Sequence, residues 1–423
     1  MAQARRLLAG SGIGCSLMLI AGFAVPCFAS ASSTNYAGAL VERLTSSGFA
    51  ATTTPQPDLA AAQAQEQNLP DQGFAGWEGE GISATSPSDA WAVGSFTDLH
   101  GRIRPAIEHF DGTAWHSIPQ PQVPTGSFLT SVKALASNDA WAVGARYAPE
   151  LSRYAVRIFI EHWDGTRWQV VQGIDTVTGD DGAVLDAVSG RSANDLWVAG
   201  ATCSIARETP CAALFEHWDG HAWSVVAGPR DVGQVTKLSA DTPTDAWAMG
   251  YVGTDCLSAC ATGLMHWDGA TWTTDTSAVP SGYQINGVAA LTPSDVWAVG
   301  NKLGPSRNSP LFEHWDGRSW RVVAGPIPGH SAVVMRDVAA ATSTDVYAVG
   351  SYYVDPCSCH IGQRTFAEHW DGSSWQIVRA QSPQISGDYF STGDQNQILD
   401  WLSSVTAVPG AVFALGNQTV EYD

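Results

Sequence analysis

Residues 295–320 read DVWAVGNKLGPSRNSPLFEHWDGRSW and contain the two short motifs that decide the fold. The first motif, Asp-x-Trp-Ala-Val-Gly, alternates large and small side chains, as a β-strand packed on both faces does. The second motif, Glu-His-Trp-Asp-Gly-x-x-Trp, predicts a strand, an Asp-Gly hairpin turn and the start of another strand. Together the two motifs predict consecutive antiparallel strands.

Both motifs recur along the 423-residue chain at a nearly constant spacing. Six copies of the first motif start 50, 56, 50, 50 and 50 residues apart. A degenerate seventh copy, AVFALG, occupies 411–416. The six copies lie at 89–94, 139–144, 195–200, 245–250, 295–300 and 345–350, and those of the second motif at 108–115, 161–168, 216–223, 265–272, 313–320 and 368–375. A sheet-forming unit repeated about every 50 residues predicts a β-propeller.

Each unit contains four strands, which we name a to d. Strand a is a small apolar run such as LTSVKAL at 129–135, strand b is the first motif, strand c ends in Glu-His-Trp, and strand d begins at the following Trp. Six complete units and one split unit predict an all-β, seven-bladed propeller of four-stranded antiparallel blades. We read the split unit as strands a, b and c, ending at 420–423, with strand d supplied from 63–77, because an unclosed ring would leave a sheet edge open.

The repeats resemble those of kelch-type and galactose-oxidase-like propellers, and those of secreted bacterial proteins with Trp-Asp-Gly repeats. The resemblance covers about 80–423. One glycine follows strand b here, whereas kelch units usually carry a pair. The resemblance implies the architecture and no particular activity, since propellers host many unrelated functions.

The N-terminus predicts export. Arg5 and Arg6 precede an apolar stretch at 7–25, and small residues follow at two candidate cleavage sites, 27–29 and 29–31. A retained membrane anchor is the alternative. We therefore predict a secreted protein without a membrane span after cleavage: a signal peptide at 1–31, a low-complexity or linker segment at 32–70 that could include the closing strand, and the propeller at 71–423.

Export gives the cysteines a role in disulfides, because an oxidising compartment preserves them. Six cysteines follow the predicted signal, in three sequence-local pairs in the b–c loops: Cys203 with Cys211, Cys256 with Cys260, and Cys357 with Cys359. The first two pairs predict local disulfides. The third pair has a one-residue gap and leaves three alternatives: a strained disulfide, intermolecular pairing, or metal or redox chemistry with His360.

Charge and repetition limit the function classes. A net charge of −20 at pH 7 argues against binding to nucleic acid or to anionic lipid. Six histidines occupy one repeat position and six aspartates another, so both sets are predicted to be structural. We expect the histidines to be half-buried and hydrogen-bonded across strands, and the aspartates to accept backbone N–H groups of the a–b turns.

The units differ mainly in their b–c and d–a connections, which lie on one face of the ring. Binding residues commonly lie on such variable loops. The candidate binding-face residues are Arg146, Tyr147, Arg153 and Tyr154 in the 145–157 loop, Asp175, Asp180 and Asp181 in an acidic loop, and Asp388, Tyr389 and Asp394 in the 379–398 loop. The acidic loop could hold Ca²⁺, but we favour a solvated turn and predict no cofactor.

No catalytic motif is complete in the sequence. We predict an exported, monomeric, non-enzymatic binding or scaffold propeller that presents its variable loops to a surface protein, a matrix or a carbohydrate ligand. The alternative is an extracellular polysaccharide-acting enzyme, glycosidase- or lyase-like, that uses loop carboxylates on the same face. Three loop carboxylates converging in one pocket would favour the enzyme, and a flat, uncharged face would favour binding.

Overall fold

The computed structural model describes most of the predicted repeat region and parts of the N-terminal segment. The described residues are 18–20, 23–25, 34–45, 48–52, 77–98, 102–148, 155–174, 181–204, 209–253, 261–275, 277–278, 282–304, 308–327, 332–354, 362–378 and 397–421. Within these ranges the regular structure is entirely β, and no helix there is long and apolar enough to cross a membrane.

The strands are numbered in chain order. The N-terminal strands are β1 (Met18–Ile20), β2 (Phe23–Val25), β3 (Thr34–Thr45) and β4 (Gly48–Thr52). Blades 1 to 3 are formed by β5 (Trp77–Ser86), β6 (Asp89–Thr97), β7 (Ile103–Phe110), β8 (Trp115–Ser117), β9 (Phe128–Ala136), β10 (Asp139–Tyr147), β11 (Val156–Trp163), β12 (Trp168–Val170), β13 (Gly182–Ser192), β14 (Asp195–Ser204), β15 (Thr209–Trp218) and β16 (Trp223–Val226).

Blades 4 to 6 follow in the same order. They are formed by β17 (Val232–Thr242), β18 (Asp245–Val252), β19 (Ala261–Trp267), β20 (Trp272–Asp275), β21 (Tyr283–Thr292), β22 (Asp295–Lys302), β23 (Ser309–Trp315), β24 (Trp320–Val323), β25 (Val333–Thr342), β26 (Asp345–Val354), β27 (Gly362–Trp370) and β28 (Trp375–Val378). The last strands are β29 (Gln397–Val408) and β30 (Ala411–Glu421). Strands a to d pair in sequence within each blade, which confirms the predicted seven-bladed propeller of four-stranded antiparallel blades.

Blade 7 is closed by two N-terminal strands. β3 pairs antiparallel with β30 over nine residue pairs, from Thr34 with Glu421 to Arg43 with Phe413, and β4 pairs with β3. The placement of the closing strand within 63–77 is therefore wrong. The prediction of a strand c at 420–423 is also wrong, because β30 is one continuous strand b up to Glu421.

A worn copy of the second motif explains this closure. Residues 41–44, VERL, stand where other blades have Phe-Glu-His-Trp, and Leu44 pairs with Phe49 as Trp315 pairs with Trp320 in blade 5. Arg43 replaces the histidine. Its guanidinium lies 5.4 Å from the ring centroids of Phe110 in blade 1 and Phe413 in blade 7, so this cation helps to join the last blade to the first.

The recurring histidines and aspartates bond to each other within each blade. The His Nε2 of strand c lies 2.6 to 2.9 Å from the Asp carboxylate that begins strand b, and its ring lies 4.2 to 4.5 Å from the aromatic ring of strand b. The pairs are His109–Asp89, His162–Asp139, His217–Asp195, His266–Asp245, His314–Asp295 and His369–Asp345. The histidines are half-buried and hydrogen-bonded across strands, as predicted.

The aspartates have different partners from those expected. We expected them to accept backbone N–H groups of the a–b turn. In several turns, however, the N–H group just before the aspartate bonds to a hydroxyl group two residues before its own position. Ser86 accepts the N–H of Ser88 in blade 1, and Thr292 accepts that of Ser294 in blade 5. The carboxylate is then available to the histidine, and this bond fixes the end of strand c against the start of strand b.

Tryptophans join neighbouring blades. The strand b Trp of one blade lies 5.0 to 5.6 Å from the strand c Trp of the next blade. It also meets the strand d Trp of that blade edge-on, at 5.2 to 5.8 Å. Edge-to-face contacts at this distance are favourable beyond the area they bury, so the predicted inter-blade packing role accounts for the tryptophan content.

Replacing His217 by Gln is expected to lower the free energy of unfolding by about 1–2 kcal/mol, because a charge-assisted hydrogen bond and a ring stack are lost together. His221 lies exposed on the Asp-Gly turn of the same blade, and H221Q should change stability by less than about 0.5 kcal/mol. Urea unfolding of both variants measures the difference. Equal effects would show that the bond to Asp195 contributes nothing specific.

Candidate ligand-binding channel

The seven strands a surround a central cavity. Its volume is about 880 Å³, which is in the range of small-ligand sites. The cavity runs along the strands a, from the ends that follow the d–a connections to the ends that lead into the a–b turns. Its first end lies on the side of the b–c and d–a connections, which is the variable face.

Every strand a contains a β-bulge at the same position. One extra residue stands opposite strand b, beside the motif glycine, and its side chain lines the cavity. The seven bulge residues, from blade 1 to blade 7, are Glu80, Thr130, Asp186, Thr236, Asn286, Arg336 and Ser403. Bulges commonly re-aim side chains next to functional sites, and here they direct one polar side chain per blade into one cavity.

The bulge also explains the glycine that ends the first motif. A Cβ on Gly94 would lie 1.9 Å from the carbonyl oxygen of Glu78 in strand a, and one on Gly300 would lie 1.9 Å from that of Gln284. The same clash, at 1.9 to 2.1 Å, recurs at this glycine in all seven blades. The most regular residue of the repeat is therefore required by the geometry that builds the channel lining.

Three of the four neutral bulge residues connect neighbouring blades, and the fourth, Thr236, contacts Met249 of its own blade. Thr130 donates its hydroxyl to the carbonyl of Leu185, at 2.8 Å. Asn286 donates its amide to the carbonyl of Met335, at 2.6 Å. Ser403 makes the corresponding, longer contact with Gly79 across the ring closure, at 3.4 Å. At these three positions the bulge residue has a structural role.

The charged bulge residues do not make this connection within the described part of the chain. Asp186 instead accepts a hydrogen bond from Gln234 Nε2, at 2.8 Å. Burial raises the pKa of Asp186 to about 7. Burial and the neighbouring Glu78 raise the pKa of Glu80 to about 8. Arg336 interacts electrostatically with Tyr353 and Glu80. The Asp186 carboxylate thus connects blade 3 to blade 4 through Gln234, whereas the Glu80 and Arg336 side chains form no hydrogen bond to another blade within the described residues.

One ion pair crosses the cavity next to the bulges. Lys237 Nζ of blade 4 lies 3.3 Å from Asp337 Oδ1 of blade 6. The other carboxylate oxygen of Asp337 accepts the backbone N–H of Val405, at 3.0 Å. This carboxylate is therefore engaged by the protein itself.

Two tyrosines line the cavity near the variable face. Tyr251 follows the motif glycine of blade 4, Tyr353 lies near the end of strand b in blade 6, and both line the cavity. Burial, together with the charge of Asp186, raises the pKa of the Tyr251 hydroxyl. This end of the cavity thus combines aromatic rings with charged groups.

The structure places only part of the predicted site. Cys203 and Cys211 are disulfide-bonded, as predicted, and join β14 to β15 on the variable face. Arg146 and Tyr147 end β10, and Asp181 directly precedes β13, so these three also lie on that face. None of them is among the described residues that line the cavity.

The other predicted residues lie outside the described ranges, and their roles stay predictions. They are Arg153, Tyr154, Asp175, Asp180, Cys256, Cys260, Cys357, Cys359, Asp388, Tyr389 and Asp394. In the ranges that the structure covers, no group of three or more His, Cys, Asp or Glu side chains is arranged to hold a metal ion. Most of the acidic loop considered for Ca²⁺, residues 175–180, falls outside those ranges.

The bulge residues were not among the predicted site residues, because those were expected only in the loops. A signal was present in strand a. The position two residues after each bulge is always apolar, from Ile82 in blade 1 to Val405 in blade 7, whereas the bulge position is always polar and changes its chemistry between blades. A variable polar residue inside an otherwise uniform strand indicates a side chain directed at something other than the core.

Comparisons with known proteins give no family. No protein-family model matches the chain, and no curated protein matches it. Similar solved structures include YCF48 bound to D1 peptide, at 13% identity over 82% of this chain and 92% of that chain, with a TM-score of 0.47. They also include the fucose-specific lectin from Aleuria aurantia, at 12% identity over 73% of this chain and 98% of that chain, with a TM-score of 0.41. A PL25 ulvan lyase is similar at 8% identity over 78% of this chain and 89% of that chain, with a TM-score of 0.45. These likenesses concern the fold alone.

Proposed function

We propose that the protein is an exported, non-enzymatic binding propeller that takes a glycan into its central channel through the variable face. The variable loops then form the rim of the site, and the bulge residues form its inner surface. Export is supported by the sequence of residues 1–31 and by the disulfide between Cys203 and Cys211.

The observation that carries this proposal is the contrast between the bulge ring and the rest of the repeat. Residues with a structural role, such as the paired His and Asp and the strand b Trp, recur almost unchanged from blade to blade. The residue that points into the channel changes from Glu to Asp to Arg at positions 80, 186 and 336. A structural role common to all blades does not require such variation, whereas an asymmetric ligand does.

The chemistry of the cavity suits a sugar. Saccharide hydroxyls both donate and accept hydrogen bonds, and the cavity offers carboxyl, amide, hydroxyl and guanidinium groups. Tyr251 and Tyr353 add flat apolar surfaces next to polar groups in the cavity, where the C–H faces of sugar rings can pack.

The test is a glycan-binding screen with residues 32–423, which retain β3 and β4. For the tightest glycan, E80Q and D186N should each weaken binding by about 10-fold or more, as expected when a hydrogen bond to a charged or buried group is lost. R318Q is the matched control, because Arg318 is exposed on the c–d turn of the opposite face and should leave affinity unchanged. Equal affinities of all four proteins would refute the channel as the site.

An enzyme acting on polysaccharide is the second candidate function. Its support is that Glu80 and Asp186 line one cavity and have pKa values raised to about 8 and 7, as a general acid requires. The third carboxylate, Asp337, is engaged by Lys237 and Val405, so it does not supply an available ionised base or nucleophile. Release of reducing ends or unsaturated products from any bound glycan, lost in E80Q, would favour the enzyme.

A further inference from the structure

We propose that the channel ligand is an anionic saccharide, carrying carboxylate or sulfate groups along its length. This inference rests on the proposed function and names the class of ligand for the same site. Three features of the cavity support it: its balance of charge, cations that form no ion pair, and the depths at which those cations lie.

The cavity has a different charge balance from the whole protein. The sequence contains 21 Lys and Arg against 41 Asp and Glu. Among the residues that line the cavity, the cations outnumber the carboxylates. The cations are Lys133, Arg191, Lys237 and Arg336, and the carboxylates are Glu80, Asp186 and Asp337. An acidic protein that gathers cations around one cavity concentrates positive potential there.

Three of these cations form no ion pair with the described residues, although Arg336 interacts electrostatically with Glu80, and Arg191 with Asp241. Lys133, Arg191 and Arg336 form no ion pair or hydrogen bond with the described residues, and the Nε of Arg336 is buried without a partner. Elsewhere the chain does pair its cations, as in Arg364 with buried Asp400, at 3.2 Å. Lys133 and Arg336 are half-buried, whereas Arg191 is exposed. A half-buried cation without a partner is costly, and an anionic ligand group would remove that cost at Lys133 and Arg336.

The neighbouring carboxyl groups do not neutralise these cations. Asp337 already pairs with Lys237, and the raised pKa of Glu80 keeps its carboxyl group mostly protonated at pH 7. A protonated carboxyl group is a hydrogen-bond donor, so Glu80 can donate to an anion beside Arg336. The cavity therefore presents donors to an anion from blades 1 and 6.

The cations lie at successive depths of the channel. Arg336 is at the level of the bulges, Lys133 follows the bulge of its blade by three residues, and Arg191 follows that of its blade by five. With a rise of about 3.3 Å per residue, these levels span roughly 17 Å. A row of cations of this length suits an oligosaccharide with repeated acidic groups better than a single small anion.

The experiment compares ligands that differ only in charge. The probes are oligogalacturonides against their methyl esters, and sulfated dextran oligomers against plain dextran oligomers, titrated into residues 32–423 at low salt. The charged member of at least one pair should bind 10-fold or more tightly than its neutral partner. Its affinity should fall about 10-fold in R336Q and in K133Q, and remain unchanged in R318Q and R167Q, whose cations lie exposed on c–d turns.

Each outcome has one meaning. If the neutral oligosaccharides bind as tightly as the charged ones, and binding is still lost in E80Q and D186N, the inference of an anionic ligand is overturned. The channel then remains a glycan site. Charged members that bind equally well to R336Q, K133Q and R318Q would show surface binding and overturn the inference. No binding of any probe at about 1 mM, a free energy weaker than about −4 kcal/mol, would overturn both proposals.

Discussion

A protein that starts at Trp77 is expected to lose more than about 5 kcal/mol of stability and to aggregate. It lacks β3 and β4, so β30 loses nine residue pairs of its ladder, each worth about 1 kcal/mol net. Val41, which is fully buried against blade 1 and blade 7 residues that include Phe413 and Leu415, is also removed. The exposed edge of β30 then offers unpaired backbone groups to other chains.

Urea unfolding and size-exclusion chromatography of residues 77–423 measure this effect, and residues 32–423 are the matched control. A synthetic peptide of residues 32–52, added in trans, should restore monomeric protein and the unfolding midpoint of the control. A monomeric 77–423 protein with the control midpoint would show that β3 and β4 do not close the ring.

The free energy of unfolding is expected to fall as the pH rises from about 5 to about 8.5. The glutamate that precedes the His of strand c is buried in five blades, and in three of them, at Glu108, Glu161 and Glu368, neither carboxyl oxygen has a hydrogen-bond partner. Burial raises the pKa of each of these three to about 8 and that of Glu313 to about 7. When folding raises the pKa of a carboxyl group, the protonated group stabilises the folded state. This contribution is fully present below the pKa of the unfolded chain, about 4.5, and is lost as the pH rises through the pKa of the folded protein.

The size of this effect follows from the linkage between the pKa values and stability. One pKa unit is worth about 1.4 kcal/mol, so even one unit from each of the four glutamates removes about 5 kcal/mol. Below about pH 4 stability instead rises with pH, because hydrogen bonds lower the pKa values of Asp89 and Asp219. The stability that they add is lost as the pH falls below about 4. Stability should therefore be greatest near pH 5.

Blade 4 supplies the control for this prediction. Met265 occupies the glutamate position there and is fully buried, so the site accepts an uncharged side chain of similar length. The triple variant E108M/E161M/E368M should remove most of the decline in urea midpoint between pH 5 and pH 8.5, whereas D231N, at an exposed site, should not. A triple variant with the decline of the unaltered protein would contradict the account.

The repeat made most of the fold predictable. The spacing of the two motifs determined the number of blades, their strand order and the face that carries the variable connections. The closing strands were misplaced because residues 41–49 retain little of the motif: Arg43 replaces His, Leu44 replaces Trp, and the Asp-Gly turn is missing. Only its pairing with β30 identifies that segment as strand c.

The site was less predictable than the fold. A β-bulge inserts a residue without altering the spacing of the motifs, so the sequence shows no break at Glu80 or Asp186. Whether the side chains of distant blades face each other also depends on closure of the ring, since Glu80 and Arg336 lie 256 positions apart in the chain. The motif glycine was visible in the sequence, but the strand a carbonyl oxygen that leaves no room for a Cβ there was not.

The most direct test of the channel as the binding site is a crystal structure of residues 32–423 with the tightest oligosaccharide bound. The account predicts ligand density inside the cavity, with polar ligand atoms within about 3 Å of Arg336 and of Glu80 or Asp186. Ligand density confined to the outer surface of the 145–157 or 379–398 loops, with none in the cavity, would contradict it.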